Sequence, residues 1–591
     1  MAGLVLGGLL YVIFPVAVTT YGGMARNYLL TLSAPTGTLN TEANPAYQGA
    51  TSTATSPPPA DEWPNAAPGD WPSYNRTPSS QRYSPLNQIN TKNVGQLKVL
   101  CTYDLHEFTS FESSLIMVDG ALIGTSEFDI FSLNPATCAE NWRTHLKYPG
   151  ALLPSNRGAA YMDGMLFRGT QDARVVAFDF KTGKQLWATR IANTKHGESV
   201  PSAPIAWNGL VYIGNSGGDY KGGKGHMFAL DGKTGKIVWE FFLAPQVPED
   251  EVLGPLSKAP NDATTTWMMA PGLPISGAGT WTSYTLDIKN GLIYVPGGNP
   301  APDFAAGARE GINLYSDSVV VLDAKTGDFK NNYKVVRVDW HDFDVSNPPI
   351  LLQTMGGKQI MSVAPKDGHL YAYDLGDNDK LLYRTPITTI ENDAQTFAIG
   401  KSVHFCPGPV GGDEWNTPGY DPTTNLIISG TVDWCDTVTI QTDRKLEKVA
   451  IGQPWTGMAA LNPINMFGKE SKTDGYWAGW VYATDADTGV WKWRAKSNYP
   501  IVGAITPTAG GVVFFGDLGG SFYALDSSNG QRLWSQVLDG GGGIGGGIIT
   551  YAVDGAQKIA VADGFTMVAW PTKPVSAKVI ILGLDSASPG Q

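Results

Sequence analysis

Short hydrophobic runs recur along the chain, and each is followed by a polar turn segment and a second run. The repeated pattern is D-x-x-T-G-x-x-x-W, as in FDFKTGKQLW, which ends at Trp187. Similar copies end at Trp239, Trp493 and Trp534, and a degenerate copy ends at Trp142. Each copy predicts a strand, a tight turn in which Gly supplies a positive φ, and a second strand. The Trp at the end can pack between neighbouring sheets.

The spacing of these hairpins predicts the fold. Copies recur about every 40 to 55 residues, apart from longer gaps before Asp323 and Asp485, and weaker copies without the Trp begin at Leu322 and Tyr373. A period near 45 residues with four short strands per unit is typical of a propeller blade. Seven copies, plus one blade without a clear turn motif expected within residues 395–440, predict an all-β, eight-bladed propeller.

Two segments precede the repeats. Residues 2–25 carry no charge and are about long enough to cross a bilayer, so we interpret residues 1–30 as a membrane anchor, with a signal peptide as the alternative. Residues 31–70 are rich in Thr, Ala, Ser and Pro and predict a flexible stalk. The propeller is expected over residues 71–591.

Charge and cysteine content narrow the function. The 591-residue chain has a net charge of -12 and a sequence pI near 5.1, without a cluster of Lys and Arg, which argues against a nucleic-acid partner. The four cysteines show neither a close zinc-binding pair nor the C-x-x-C-H motif of covalent haem. They predict either the disulfides Cys101–Cys138 and Cys406–Cys435 in an oxidising compartment or four free thiols.

The segment VDWHDFDVSNPP, residues 338–349, places Asp342 and Asp344 one aromatic residue apart. Alternate residues of an extended segment point the same way, so both carboxylates could face one cavity. Such a pair suits a catalytic base beside a metal ion. Asp-x-Asp in a polar loop is also typical of a solvated turn, so the pair alone does not assign the function.

A propeller brings loops from all blades to one central axis, so distant residues can form one site. Several polar or aromatic residues lie beside Gly, Ser or Pro near the ends of expected strands. They are Glu112, Arg157, Asp219, Trp281, Asn299, Asp342, Asp344 and Lys366. Each alone has an ordinary explanation as a surface charge, a turn residue or a core Trp. Together they supply oxygen ligands for a cation, cationic groups and an aromatic plate, which predicts a site for a flat, carboxylated cofactor held on a metal.

The opening GDWPSYNRTPSSQRYSPLNQINTKNVGQLK, the blade motifs and TPTAGGVVFFGDLGGSFYALD (residues 506–526) resemble the quinoprotein alcohol dehydrogenases over roughly residues 68–570. This family has eight-bladed propellers that use pyrroloquinoline quinone (PQQ) and a metal ion. The resemblance implies PQQ contacts from Glu112, Arg157, Ser202, Ser216, Trp281, Lys366 and Glu414. It implies metal ligation by Asp219, Asn299, Asp342 and Asp344. Asp342 would be the catalytic base, assisted by Lys366, and the metal would be Ca²⁺ or, as Asp344 suggests, a lanthanide ion.

The expected activity is oxidation of a small alcohol to an aldehyde or ketone. Because no haem-attachment motif occurs, electrons would pass to an external acceptor, either cytochrome c or a membrane quinone. The expected location is the periplasm, with anchoring to the inner membrane through residues 2–25. One alternative is a PQQ-dependent sugar or polyol dehydrogenase. The other is a propeller scaffold without a cofactor, which should carry ordinary apolar or small residues around its axis.

Overall fold

The computed structural model describes residues 35–49, 62–150, 155–260, 262–459, 478–567, 570 and 572–585. The predicted anchor at residues 1–30 lies outside these ranges, as do residues 31–34 and 50–61 of the predicted stalk. Within the described ranges, we find no helix with the length and hydropathy of a membrane span.

Eight antiparallel sheets of four or five strands make up the described part of the fold, which confirms the predicted eight-bladed propeller. Blade 1 comprises Ile116–Val118, Ala121–Thr125, Asp129–Leu133 and Glu140–His145, and blade 2 comprises Ala160–Met162, Met165–Gly169, Arg174–Asp179 and Gln185–Arg190. Blade 3 comprises Ile205–Trp207, Leu210–Gly214, His226–Asp231 and Ile237–Phe242, and blade 4 comprises Thr285–Asp287, Leu292–Pro296, Ser318–Asp323 and Phe329–Lys334. Blade 5 comprises Ile350–Gln353, Gln359–Val363, His369–Asp374 and Lys380–Pro386. Blade 6 comprises Gly419–Asp421, Leu426–Asp433, Ala478–Asp485, Trp491–Ser497 and Leu39–Ala43. Blade 7 comprises Thr506–Pro507, Val512–Gly516, Ser521–Asp526 and Arg532–Val537. Blade 8 comprises Ile548–Val553, Ala556–Asp563, Lys578–Gly583 and Lys98–Asp104.

The two ends of the repeat region close the ring. The outermost strand of blade 8, Lys98–Asp104, comes from the start of the propeller and pairs with Lys578–Gly583 from its end. The Cys101–Cys138 disulfide then ties this strand to the turn before the last strand of blade 1. The Cys406–Cys435 disulfide is present as well, so the predicted pairing is confirmed and the alternative of four free thiols is wrong.

The predicted position of the blade without a turn motif is wrong. Leu426–Asp433, within the predicted range 395–440, is the second strand of blade 6, whose later strands carry the TDADTGVWKW copy. Residues 434–477 separate these two halves of the blade, so the sequence resembles two units there. The blade that lacks the motif is blade 8, because its fourth strand comes from residues 98–104 instead of following a turn motif.

The N-terminal strand Leu39–Ala43 extends blade 6 to five strands by pairing antiparallel with Trp491–Ser497. The Thr41 hydroxyl also donates to the carbonyl oxygen of Gly530 in blade 7 at 3.0 Å. The prediction of a flexible stalk is therefore wrong for this part of residues 31–70. The strand covers a sheet edge whose backbone groups would otherwise face solvent.

In blades 1, 2, 3 and 6, the Trp at the end of the repeat docks its blade on the next one. Trp493 of blade 6 is fully buried, and its Nε1 donates to the carbonyl of Ser527 in the turn of blade 7 at 2.9 Å. Its ring lies against Gly530 of that turn, where an added Cβ would come within 2.7 Å of the indole. The same arrangement joins Trp142 to Gly183, Trp187 to Gly235 and Trp239 to Gly327. The motif therefore sets the blade-to-blade spacing around the ring.

The remaining elements lie in long loops. Two-stranded ladders pair Met268–Met269 with Arg309–Glu310, Ser276–Gly277 with Pro300–Ala301, and Ser402–Phe405 with Asp436–Thr439. Short 3₁₀ helices span Val94–Gln96, Thr194–His196, Ala263–Thr266 and Ala306–Ala308, and an α-helix spans Asp443–Lys448.

Candidate active site

The predicted site residues occupy two kinds of position in the blades. Glu112, Arg157, Trp281, Asp342 and Glu414 precede the first strands of blades 1, 2, 4, 5 and 6. A second group follows the second strands of blades 3, 4 and 5, and comprises Asp219, Asn299 and Lys366. Because the first two strands of a blade are antiparallel, the start of the first and the end of the second lie at the same end. The topology therefore places both groups on one face of the propeller.

Backbone hydrogen bonds join these segments around the axis. The Ser114 amide donates to the Arg157 carbonyl at 2.8 Å, and the Arg157 amide donates to the Pro201 carbonyl at 3.0 Å. The Ala203 amide continues the ring by donating to the Thr282 carbonyl at 2.7 Å. The side chains of different blades are thus carried by a connected backbone framework, which favours a preformed site.

Trp281 is a half-buried aromatic plate between charged groups. The Arg157 guanidinium carbon lies 4.6 Å from the centre of its ring, and Lys366 Nζ lies 5.5 Å from it. The indole Nε1 donates to Asp344 Oδ1 at 3.2 Å, which fixes the plane of the ring. An aromatic face flanked by two cations suits a flat, anionic ligand.

Arg157 is itself held in place by buried partners. Its Nη2 lies 2.7 Å from Glu112 Oε2, with the two side chains 7% and 1% exposed, and its Nη1 donates to the Trp281 carbonyl at 3.0 Å. The Ser110 hydroxyl donates to the other Glu112 oxygen at 2.5 Å. Burial raises the pKa of Glu112, and Arg157 opposes that rise. The pair is a desolvated ion pair that aligns Arg157 with the plate.

Lys366 joins the predicted carboxylates of the 338–349 segment. Its Nζ lies 2.5 Å from Asp344 Oδ2 and 3.5 Å from Asp342 Oδ2. Burial alone would lower the pKa of Lys366, but Asp342, Asp344 and Glu414 together raise it well above its ordinary value. Lys366 is therefore a permanent cation in this site.

A cluster of carboxylates lies beside this ion pair. Oxygens of Asp219, Asp303 and Asp342 all lie within 4.8 Å of one another, and the three residues come from different blades or the segments between them. Asp219 is exposed as a whole residue, but desolvation of its carboxylate by the surrounding protein, followed by the charge of Asp344, raises its pKa to about 6. Burial and neighbouring carboxylates raise the pKa values of Asp303 and Asp342 well above the ordinary range. A bound cation would offset this repulsion, so the cluster is a candidate metal site.

The backbone around Asp342 is constrained. Asp342 has a φ of 67°, in the left-handed region, where Asp is tolerated better than most residues. Both oxygens of Asp339 accept backbone hydrogen bonds, from His341 at 2.8 Å and from Phe343 at 3.1 Å. These bonds hold the turn that directs Asp342 toward the cluster, and strained backbone of this kind is common at functional sites.

Other predicted residues take different positions. Asp344 pairs with Lys366 and accepts a hydrogen bond from the backbone N–H of Asn299 at 2.9 Å. It is not a member of the three-carboxylate cluster. The Ser202 hydroxyl donates to the Gly214 carbonyl at 2.9 Å, and the Ser216 hydroxyl lies 2.9 Å from that of Ser199. Both serines thus already have protein partners. Glu414 is buried, and burial raises its pKa to about 8 while Lys366 opposes the rise.

Asp303 is the member of the cluster that sequence reasoning missed. Its oxygen Oδ1 accepts from the Asn299 side-chain amide at 3.0 Å, and Asn299 also contacts Asp219. The available signal was its position four residues after Asn299, in the same loop as a predicted ligand. A half-turn of the Asn299 side-chain amide directs its oxygen to the same place, so Asn299 can also present an oxygen to a cation.

The polar atoms left over by these contacts fit an anionic cofactor and a cation. Among the described residues, Arg157 Nε, Asp342 Oδ1 and Glu414 Oε1 are buried without a hydrogen-bond partner. Most buried polar atoms in proteins have a hydrogen-bond partner, so three without one in the same site are available to a ligand. One unused donor on a guanidinium and unused acceptors on carboxylates match a carboxylated ligand and a hard cation, respectively.

Two family models and several known proteins are similar to this chain in sequence. The family model described as "Glucose/ethanol/alcohol dehydrogenase, beta-propeller domain", of the PQQ type, matches residues 71–381, just over half of the chain. A second model, for the outer membrane protein assembly factor BamB, matches residues 478–570. The dehydrogenase subunit of a quinone-dependent alcohol dehydrogenase from Komagataeibacter europaeus is 30% identical over 548 residues, covering 84% of this chain and 72% of that protein. A lanthanide-dependent methanol dehydrogenase from Methylacidiphilum fumariolicum is 29% identical, covering 84% and 85%.

Solved structures give the same picture. A europium-containing methanol dehydrogenase superposes with a TM-score of 0.77 at 26% identity, covering 88% of this chain and 98% of that one. The quinohemoprotein alcohol dehydrogenase of Comamonas testosteroni superposes with a TM-score of 0.77 at 26% identity, covering 89% and 83%. The overall fold and its closure are thus similar to those of solved propeller dehydrogenases.

Proposed function

Since this chain belongs to the PQQ-dependent glucose, ethanol and alcohol dehydrogenase family, we propose that it oxidises an alcohol to an aldehyde or ketone with PQQ and a metal ion. The observation that carries the proposal is the meeting of Asp342, Lys366 and the carboxylate cluster beside Trp281. A scaffold without a cofactor would not need so many buried charges on one face, because each costs desolvation energy unless a ligand or partner offsets it.

The residues divide into two groups by the chemistry of what they would hold. Trp281 would supply the stacking face for PQQ, and Arg157 and Lys366 would be cations for its carboxylates, while Glu112 orients Arg157. Glu414 would add a polar contact through its unpartnered Oε1, and Ser202 and Ser216 are proposed as further contacts. The cation would bind to Asp219, Asn299, Asp303 and Asp342, whereas Asp344 is paired with Lys366. Bound here, PQQ supplies the acceptor for the carbinol hydrogen and its electron pair, and the cation supplies a Lewis acid.

Asp342 takes the hydroxyl proton of the alcohol. Its Oδ1 is buried and has no protein hydrogen-bond partner, so it is available to a substrate or a cation. Burial raises the pKa of Asp342 well above its ordinary value, and Lys366 at 3.5 Å opposes that rise. A cation held by these carboxylates would act in the same direction as Lys366 and favour the ionised form of Asp342, which can act as a base.

Electrons must then leave the protein for the next turnover. The chain has no C-x-x-C-H motif, so we propose an external acceptor, either a cytochrome c or a membrane quinone. Two disulfides support an oxidising compartment, and we propose the periplasm. Attachment to the inner membrane through residues 2–25 remains part of the proposal.

Reconstitution tests the activity directly. Protein prepared without cofactor is incubated with PQQ and either Ca²⁺ or La³⁺, and dye reduction is followed with primary alcohols, secondary alcohols and sugars. We expect turnover only when PQQ and a metal are both present, with alcohols preferred. A preference for sugars would support the sugar or polyol dehydrogenase instead, and no turnover with any substrate would reject the enzymatic proposal.

The role of Asp342 is tested by Asp342→Asn, which keeps the size of the side chain. Loss of the base should lower kcat by about 10² to 10⁴-fold, while PQQ measured by absorbance stays bound. Asp377→Asn, an exposed acid in blade 5, is the matched control and should keep full activity. Near-normal turnover in Asp342→Asn would reject Asp342 as the base.

A further inference from the structure

Asp303 provides a charge that the sequence-based ligand set did not contain. Its carboxylate lies within 4.8 Å of those of Asp219 and Asp342, and its side chain is 2% exposed. Asp344, which was expected as a ligand, lies instead 2.5 Å from Lys366 Nζ and also accepts from Trp281 Nε1. Asp344 is therefore paired with Lys366, whereas Asp219, Asp303 and Asp342 face the place where a metal would bind.

The backbone that carries Asp303 is rigidly held. The buried Arg309 guanidinium donates to the carbonyls of Pro302 at 3.0 Å and of Asp303 at 2.7 Å. The next amide, that of Phe304, donates to the Thr456 carbonyl at 2.8 Å. Arg309 thus fixes the main chain of this loop, and the Asp303 side chain is directed at Asn299 and the other carboxylates.

We propose that Asp303 is an additional ligand of the metal and that it biases the site toward a trivalent cation. This inference rests on the proposed function, because it concerns the metal of the same site. Because Asp344 is paired with Lys366 at 2.5 Å, the carboxylates of Asp219, Asp303 and Asp342 are left to face the ion. A divalent ion leaves one buried negative charge uncompensated, whereas a trivalent ion balances all three. The unpartnered, buried Oδ1 of Asp342 is the second observation that indicates a ligand here.

The size of the effect follows from Coulomb's law. A trivalent ion carries one more unit of charge than Ca²⁺, and that extra charge interacts with the carboxylate of Asp303. Removing the carboxylate should therefore weaken La³⁺ binding more than Ca²⁺ binding, by about 10-fold to 100-fold in the ratio of the two affinities.

Metal binding gives a readout that does not depend on activity. PQQ-loaded Asp303→Asn and unchanged protein are dialysed against defined La³⁺ and Ca²⁺ concentrations, and bound metal is measured by mass spectrometry. We expect the La³⁺ to Ca²⁺ affinity ratio to fall in Asp303→Asn. Glu310→Gln, an exposed acid in the same loop, is the matched control and should keep the ratio of the unchanged protein.

A second variant covers the case in which the Asn amide still ligates or the Asn variant folds poorly. In Asp303→Ala loaded with Tb³⁺, luminescence lifetimes in H₂O and D₂O should report about one more coordinated water than in the unchanged protein. An unchanged affinity ratio together with an unchanged water count would overturn the role of Asp303 but leave the proposed function intact. Failure of the unchanged protein to take up PQQ and any metal would overturn both.

Discussion

The docking of Trp493 on Gly530 predicts a specific loss of stability in Gly530→Ala. Gly530 has a φ of 74°, and a Cβ added there would come within 2.7 Å of Trp493 Cε3 and 2.8 Å of Thr41 Cγ2. Trp493 cannot move aside easily, because it is fully buried and bound to the Ser527 carbonyl. The left-handed backbone costs Ala about 1 to 2 kcal/mol, and overpacking adds about 1 to 3 kcal/mol. The free energy of unfolding should fall by about 2 to 5 kcal/mol.

Gly120→Ala is the matched control for the steric part. Gly120 has a φ of 75°, nearly the same as Gly530, but nothing lies within 4 Å of an added Cβ. Its replacement should therefore cost only the backbone strain of about 1 to 2 kcal/mol. Urea unfolding of both variants, followed by tryptophan fluorescence, measures the difference between their free energies of unfolding, provided that the dependence of the free energy on urea concentration is the same in both. Equal losses in the two variants would refute the idea that Trp docking on this glycine holds neighbouring blades together.

Three further changes in stability follow from buried groups. Burial lowers the pKa of His341 to about 3. The His341 side chain therefore stays neutral in the folded protein, whereas in the unfolded chain it takes up a proton near pH 6.5. Between pH 8 and pH 5 the unchanged protein should therefore lose about 2 kcal/mol more than His341→Phe in urea unfolding. Glu112→Ala should lower the free energy of unfolding by about 3 to 5 kcal/mol, because it leaves the buried Arg157 guanidinium without its carboxylate. Replacing Cys101 and Cys138 by Ser should cost about 4 kcal/mol, since their disulfide closes a loop with a sequence separation of 37.

Each of these changes has its own control. His106→Gln, which replaces a histidine side chain that is 84% exposed, is the control for His341→Phe. The double change Glu112→Leu with Arg157→Met should cost less than Glu112→Ala alone, because no buried charge is left over. A greater loss of stability in the double variant than in Glu112→Ala would contradict the argument from the buried charge. A stability difference between His341→Phe and the unchanged protein that does not vary with pH would contradict the argument from His341. An unchanged urea midpoint without the Cys101–Cys138 disulfide would contradict the argument from loop closure.

The repeat could be predicted from the sequence because its hydrogen bonds are local. In the turn of blade 2, Asp179 Oδ1 accepts from both the amide and the hydroxyl of Thr182, at 2.9 and 2.6 Å. Such a turn forms from residues three apart, so its pattern survives in the sequence wherever it is used. The pattern misplaced the eighth blade because residues 434–477 divide blade 6, and an insertion carries no signal about which strands pair across it.

The loops of the site were likewise predictable as positions, but their partners were predictable only in part: Lys366 was expected beside Asp342, whereas the place of Asp303 was not expected. Sequence alone determined that Trp281, Asp342 and Lys366 stand next to blade strands, and the topology of a propeller brings those positions to one face. Only the tertiary structure decided that Asp303 joins Asp219 and Asp342 while Asp344 turns to Lys366. The reason is physical: these distances of a few ångström are set by how separate blades close into a ring. Asp219 and Asp303 are 84 residues apart and Asp303 and Asp342 are 39 apart, so they share no local interaction that the sequence could record.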